Sequence, residues 1–183
     1  MSGDRQWALD ASDGELVLHT GVAGTASRMG HRLTIAVRSW HATVRFAGEE
    51  PSEVELTVDV DSLEVVRGEG GVTPLSGPEK SVVRANALKS LRAERYPQIR
   101  FHSSDIEPAP GFFHLAGTLE ICGRTGHHTV DVRAENRDND WHIQAETDVR
   151  HTDYGVKPYS TLMGAMKVAD EVHVTFTATH ADN

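Results

Sequence analysis

Eleven histidines are spread along a chain of 183 residues, a density at which metal ligation or acid–base catalysis has to be tested first. A metal needs converging donors, such as His-x-His on one strand face or His-x-x-x-His on one helix face. The nearest pair is His127–His128, and adjacent strand residues point to opposite faces. Neither a His-x-His with a downstream Glu nor a His-Glu-x-x-His occurs. The nucleophile patterns are equally bare. There is no Gly-x-Ser-x-Gly elbow. "RGEGG" lacks both the strand–turn–helix context and the third glycine of a dinucleotide loop. Asp59 and Asp61 read as a solvated strand face. His151 and Asp153 in "HTDY" sit close together with no nucleophile beside them. The reading is therefore no catalytic residue, no metal and no cofactor.

The elements that would position these side chains have period two. "VELTVDV" places Val54, Leu56, Val58 and Val60 on one face and Glu55, Thr57 and Asp59 on the other. "FFHLAGTLEI", "TVDVRAE", "WHIQAETDV" and "EVHVTFTAT" alternate in the same way, as strands with one dry and one wet face do in an antiparallel sheet. "ELVLH" and "QIRFHSSDI" are further strands. In "HRLTIAVRSWHATVRF" the apolar parity flips near Ser39, which predicts a bulge or sharp bend that curves the sheet. By parity, His31, His128 and His151 fall on the dry side, whereas His41, His102, His114, His142 and His173 fall on the wet side. Inward histidines on such a sheet read as hydrogen-bonded polar groups at a barrel end, and His31 is also placed to meet a ligand's polar head.

One segment changes period. "SGPEKSVVRANALKSLRAERYP" opens with Ser76, Pro78 and Glu79, a capping-box signature, and puts Val83, Ala87, Leu88 and Leu91 on one helix face before Pro97 stops it. "RGEGGVTPLSG" ahead of it reads as a glycine-rich loop. Between Pro158 and Met166 lies an uncharged stretch, "PYSTLMGAM", which reads as a short helix with Tyr159, Leu162, Met163 and Met166 on one side. It is either a core plug or an adaptable, methionine-lined mouth.

Bulk properties narrow the function class. The formal net charge is −9, so clustered phosphate contacts to nucleic acid are not expected, nor is docking on an anionic lipid surface through a basic patch, because acidic residues offset the local basic stretches across the chain. The N-terminus has no apolar run of signal-peptide length and no stretch approaches ~18 apolar residues, so the expected location is cytoplasmic, without stable membrane insertion. Cys122 stands alone and reads as structural. The architecture expected is a single domain over residues 1–183. It is all-β with one crossing helix, a closed up-and-down antiparallel barrel of about eight strands, lipocalin-like.

Four segments, in order, resemble the YceI-like family: "RMGHRLTIAV" with its early His31, "NALKSLRAERYPQIRFHSSDI", "GTLEICGRTGHHTVDV", and "TDYGVKP" leading through "MGAMKVADEVHVTFTA". The resemblance extends from about Trp7 to Thr179. It implies a lipocalin-like barrel holding a long amphiphile, an isoprenoid or quinone-like lipid, for carriage, storage or stress protection. Many members of that family are periplasmic and carry a signal peptide; this sequence departs there and resembles a leaderless cytoplasmic branch, with a possible homodimer. The ligand-binding residues expected are His31, Ile35, Val37, Val58, Phe101, Leu119, Ile143, Tyr154, Tyr159, Leu162, Met163, Met166 and Phe176. Two other functions stay open: a lipid-modifying or cyclase-like enzyme in the same barrel, and a filled barrel that serves only as a protein-interaction module.

Overall fold

The computed structural model describes residues 5–182. Twelve strands form one antiparallel sheet. In chain order they are β1 (Gln6–Asp10), β2 (Gly14–Ala23), β3 (His31–Val37), β4 (Trp40–Ala47), β5 (Glu50–Asp59), β6 (Leu63–Gly70), β7 (Gln98–Ala109), β8 (Phe112–Ile121), β9 (Arg124–Arg137), β10 (Asp140–Arg150), β11 (Ser160–Thr161) and β12 (Met166–Ala181). The helix α1 (Gly77–Ser90) lies between β6 and β7.

The spatial order is β1-β4-β5-β7-β8-β9-β10-β12-β2-β3-β6, with β11 added on β12. This corrects the closed eight-strand, up-and-down barrel. Eleven strands make a continuous path, the sheet curls into a half-barrel, and no ladder joins its end strands β1 and β6 among the described residues. The difference has a local cause. The parity flip at Ser39 divides one apolar run into β3 and β4, and the facing chain divides between Asp59 and Leu63. Each half then joins a different end of the sheet.

Hydrogen bonds hold this corner: Arg38 N–H donates to the Ser62 carbonyl at 3.1 Å and Asp59 N–H to the Ser39 carbonyl at 3.1 Å. The Ser39 hydroxyl donates to Asp59 Oδ2 at 2.5 Å, so Asp59 braces the bend rather than facing water as a free carboxylate. Two strands are not readable ahead of the fold. β1 has only five residues, and β6 takes up Arg67–Gly70 of the expected glycine-rich loop because His31–Thr34 supply backbone partners for it.

Turn chemistry fits the hairpins. β8 and β9 are joined by Cys122–Gly123 (φ 51° and 72°), and β9 and β10 by Asp138–Asn139 (φ 56° and 68°), both with the paired positive φ of type I′ loops. Cys122 is buried and its thiol donates to the Leu91 carbonyl at 2.9 Å, which ties the β8–β9 turn to the end of the helix segment.

The capping box forms as expected: Glu79 N–H donates to Ser76 Oγ at 3.3 Å, and Ser76 N–H to Glu79 Oε2 at 2.7 Å. α1 then runs back along β6. Arg84 Nε donates to the Leu63 carbonyl at 2.7 Å and its Nη2 to the Asp61 carbonyl, occupying backbone acceptors where the edge strand begins. Val83, Ala87 and Leu91 turn toward the concave face of the half-barrel, so the helix walls its open side.

The uncharged stretch is not a helix. Ser160–Thr161 pair with Met166–Lys167 as a two-residue strand, and Leu162 and Met163 both take left-handed backbone, φ 52° and 55°. The spacing that suggested a helical face therefore never operates.

Candidate functional site

The concave face encloses a cavity of about 530 Å³, within the ~300–1,000 Å³ typical of small-molecule sites. Period-two alternation builds its walls. Along β10, Trp141, Ile143, Ala145, Thr147 and Val149 all line it, while the residues between them face outward. Eight residue steps at about 3.3 Å give an apolar track of roughly 26 Å along that strand. β9 contributes His128, Val130, Val132 and Ala134, and β12 contributes Met166, Val168, Val172, Val174 and Phe176.

One end of the cavity is closed by aromatic residues. Trp7 meets Phe46 edge-on at 4.8 Å between ring centroids, Trp141 at 5.6 Å and His180 at 4.7 Å. The Arg5 guanidinium lies 5.4 Å from the Trp7 ring and 5.0 Å from the Phe46 ring, and pairs with Asp182 at 3.0 Å. The indole N–H of Trp141, which lines the cavity, and that of Trp40 are buried with no partner, each costing about 1–3 kcal/mol.

The other end is a rim formed by residues 24–31, 71–75 and 157–167. His31 lines the cavity there, but its Nε2 bonds the Thr73 carbonyl at 2.7 Å. A side chain on Gly71 would collide with the His31 ring, with a Cβ at 2.6 Å from Nε2. His31 is therefore clamped to the 71–73 loop by this close approach.

Polar groups inside the cavity sit nearer the rim than the aromatic end. The His128 ring bonds Thr147 Oγ1 at 2.8 Å and faces the Phe101 ring edge-on at 6.3 Å. Its pKa is lowered, first by burial and then by the neighbouring His127. His151 Nδ1 donates to the Asp170 carbonyl at 2.7 Å. Asp170 also accepts from the Thr152 hydroxyl at 2.6 Å and the Thr152 N–H at 2.9 Å, which hold its carboxyl below the usual range. Tyr154 is buried against Gly126, and burial followed by the nearby Asp153 raises its phenol.

Of the expected site residues, Ile35, Val37, Val58, Phe101, Leu119, Ile143, Tyr154 and Phe176 lie along the cavity wall, and His31, Tyr159 and Met166 lie where it meets the rim. Leu162 and Met163 lie outside it: neither lines the cavity, and they are 51% and 106% exposed. The left-handed turn aims both side chains outward. The aromatic closure went unread, since Trp7 and Trp141 are brought together only by tertiary packing. The dry-side histidines His31, His128 and His151 all reach the cavity. On the wet side, His102 pairs with Glu53, His114 with Asp131 and His173 with Asp148.

Glu53, Glu55 and His102 gather on the outer surface with donor atoms within 4.8 Å of one another. Arg45 already pairs with this group, at 2.5 Å from Glu53 and 3.9 Å from Glu55. Hydrogen bonds from His102 and then Arg45 lower the Glu53 pKa. The arrangement is accounted for as an ion-pair network.

Fold and site define a cavity-bearing antiparallel β half-barrel walled by one helix. The YceI-like domain model matches residues 7–180, and the chain belongs to that family. Among solved structures it is similar to BcnA from Burkholderia cenocepacia, with a TM-score of 0.72 and 20% identity, covering 94% of this chain and 99% of that one. It is also similar to the YceI protein of Campylobacter jejuni, with a TM-score of 0.62 and 12% identity, covering 81% of this chain and 84% of that one. At such identities the likeness concerns fold. No curated protein matches the chain in sequence. No helix among the described residues is long and apolar enough to cross a membrane.

Proposed function

We propose that the protein binds one elongated hydrophobic molecule, an isoprenoid or quinone-like lipid, in the half-barrel cavity and carries or stores it without covalent change. The observation that supports this most directly is the track along β10 from Trp141 to Val149, apolar except at Thr147, which Phe176, Val174 and Val172 widen from the neighbouring strand β12. Transfer of an apolar chain onto such a surface contributes about 25 cal/mol per Å² removed from water. His128 with Thr147, then His31 and Tyr154, supply polar groups in the part of the cavity nearer the rim, where an amphiphile's head would lie. A volume of about 530 Å³ argues against a barrel filled by its own side chains. The half-buried His128 rests on a threonine hydroxyl, not a carboxylate, which gives no support to a proton-transfer role.

The test is organic extraction of the purified protein with mass spectrometry of the extract, alongside an Ala145→Trp variant. Ala145 lines the middle of the track, so an indole there blocks it. The wild type yields a lipid and the variant yields less than a tenth as much. Equal yields from two folded proteins, or no bound lipid in wild type from its own host, would rule the reading out.

A further inference from the structure

Large exposed apolar side chains are not scattered over this surface. Of seven among the described residues, five occupy the rim: Met29 (53% exposed), Val72 (79%), Tyr159 (45%), Leu162 (51%) and Met163 (106%). The segments that carry them adjoin. Ala26 N–H donates to the Ala165 carbonyl at 2.7 Å, Lys167 pairs with Ala23, and His31 reaches the Thr73 carbonyl. Tyr159 both lines the cavity and stands 45% exposed, so the patch and the cavity meet at that residue.

The rim is locally positive in a chain that is negative overall. Residues 24–31, 70–78 and 154–169 contain no carboxylate, and the nearby Glu79 is held on the Ser76 N–H of the helix cap. Arg28, Lys157 and Lys167 are exposed on the rim segments, and none forms an ion pair with a described residue. Two successive non-glycine residues, Leu162 and Met163, hold left-handed backbone at φ 52° and 55°, a conformation that costs each about 1–2 kcal/mol. The protein offers no packing in return, because the turn projects both side chains into solvent. Unlike the type I′ turns at Cys122–Gly123 and Asp138–Asn139, this one carries two large apolar residues, and strain of this kind clusters at functional segments such as ligand clamps and switch regions.

We infer that the rim docks on an anionic lipid bilayer, with Leu162, Met163, Met29 and Val72 entering the acyl boundary and Arg28, Lys157 and Lys167 meeting the headgroups. This orientation directs the cavity mouth at the membrane, so that cargo passes between bilayer and cavity without crossing water. The purpose of the docking rests on the lipid-binding reading; the docking itself does not.

The test is sedimentation with vesicles of phosphatidylcholine alone and of phosphatidylcholine mixed with phosphatidylglycerol. Wild type partitions onto the mixed vesicles and far less onto neutral ones. Arg28→Gln with Lys157→Gln lowers partition onto the mixed vesicles about 30-fold, since each surface cation contributes roughly a factor of five. Leu162→Ser with Met163→Ser lowers it tenfold or more on either vesicle. None of these four residues lines the cavity, so both variants retain wild-type affinity for a soluble apolar fluorescent probe and wild-type melting curves. Absence of wild-type partition onto the mixed vesicles overturns the inference, as does partition that neither variant changes. A dimer in sedimentation velocity that the serine variant dissolves, without vesicle binding, also overturns it and assigns the patch to a second copy. Failure of wild type to bind any apolar probe breaks the lipid-binding reading instead, and the vesicle data still decide the docking.

Discussion

At one end of the cavity Trp7, Phe46 and Trp141 pack against one another beneath the Arg5 guanidinium, which Asp182 holds in turn. At the other end Tyr159, Leu162, Met163, Met29 and Val72 are apolar, exposed and unpaired with aromatic neighbours. Both ends are built from side chains of similar hydrophobicity. They differ in backbone. The closed end is formed by strand residues in register, so alternation points Trp7 and Trp141 at each other. The rim is formed by loops and a left-handed turn, which point Leu162 and Met163 at solvent. Hydrophobic content alone thus says little about whether an end is sealed, and backbone direction decides it.

The contrast predicts unequal costs for comparable truncations. Trp7→Ala removes a ring that is only 7% exposed and touches three other rings, so it should cost about 3–5 kcal/mol in denaturant melts. Met163→Ala should stay within about 0.5 kcal/mol of wild type. Similar costs for the two would erase the distinction between the ends.

The polar groups between the ends give a second contrast. His128 titrates below its ordinary value of 6.5 in the fold, so the unfolded chain takes up a proton before the folded one does. Its contribution to stability is complete above about pH 6.5 and drains away as pH falls through that value toward the lower folded one. An apolar ligand against the ring disfavours the proton further, so affinity should drop by at most tenfold per pH unit across the same window. Both dependences should vanish in His128→Gln; a profile unchanged by that substitution assigns them to another group.

The helix that walls the open side is fastened near the rim by its capping box. Ser76→Ala should cost about 1 kcal/mol in melts, and a neutral result would show that packing on β6 alone holds α1. The smallest effect expected has the opposite sign. Met163→Gly relieves the left-handed backbone and should stabilise the protein by somewhat less than 1 kcal/mol, while reducing partition onto anionic vesicles. Destabilisation by that substitution would mean the turn is held by packing of the methionine itself.

Much of the wall was legible in the sequence because alternation is a local signal. Trp141, Ile143, Ala145 and Val149 declare their face without reference to any other strand, and the parity flip at Ser39 locates the corner. Ser76, Pro78 and Glu79 announce the helix in the same local way. Strand order was less accessible. β1 is short and β6 runs into glycines, and their membership rests on pairing with His41–Arg45 and with His31–Val37, which no periodicity encodes. Leu162 and Met163 were misplaced because i, i+3, i+4 spacing matters only if the backbone is right-handed there. The aromatic closure depends on residues 7, 46 and 141 meeting in space.

The corner at Ser39 and Asp59 has a mechanical consequence. The β3–β6 half of the bent ribbon belongs with β2, and the β4–β5 half belongs with β7, so a single pair of chains serves as the spine between two walls. The same walls are also joined the other way round, through β8, β9, β10 and β12, so the backbone bonds to Ser39 and Ser62 close the spine into a ring. The corner works as a clasp: widening the cavity means unfastening it or bending the ladders themselves.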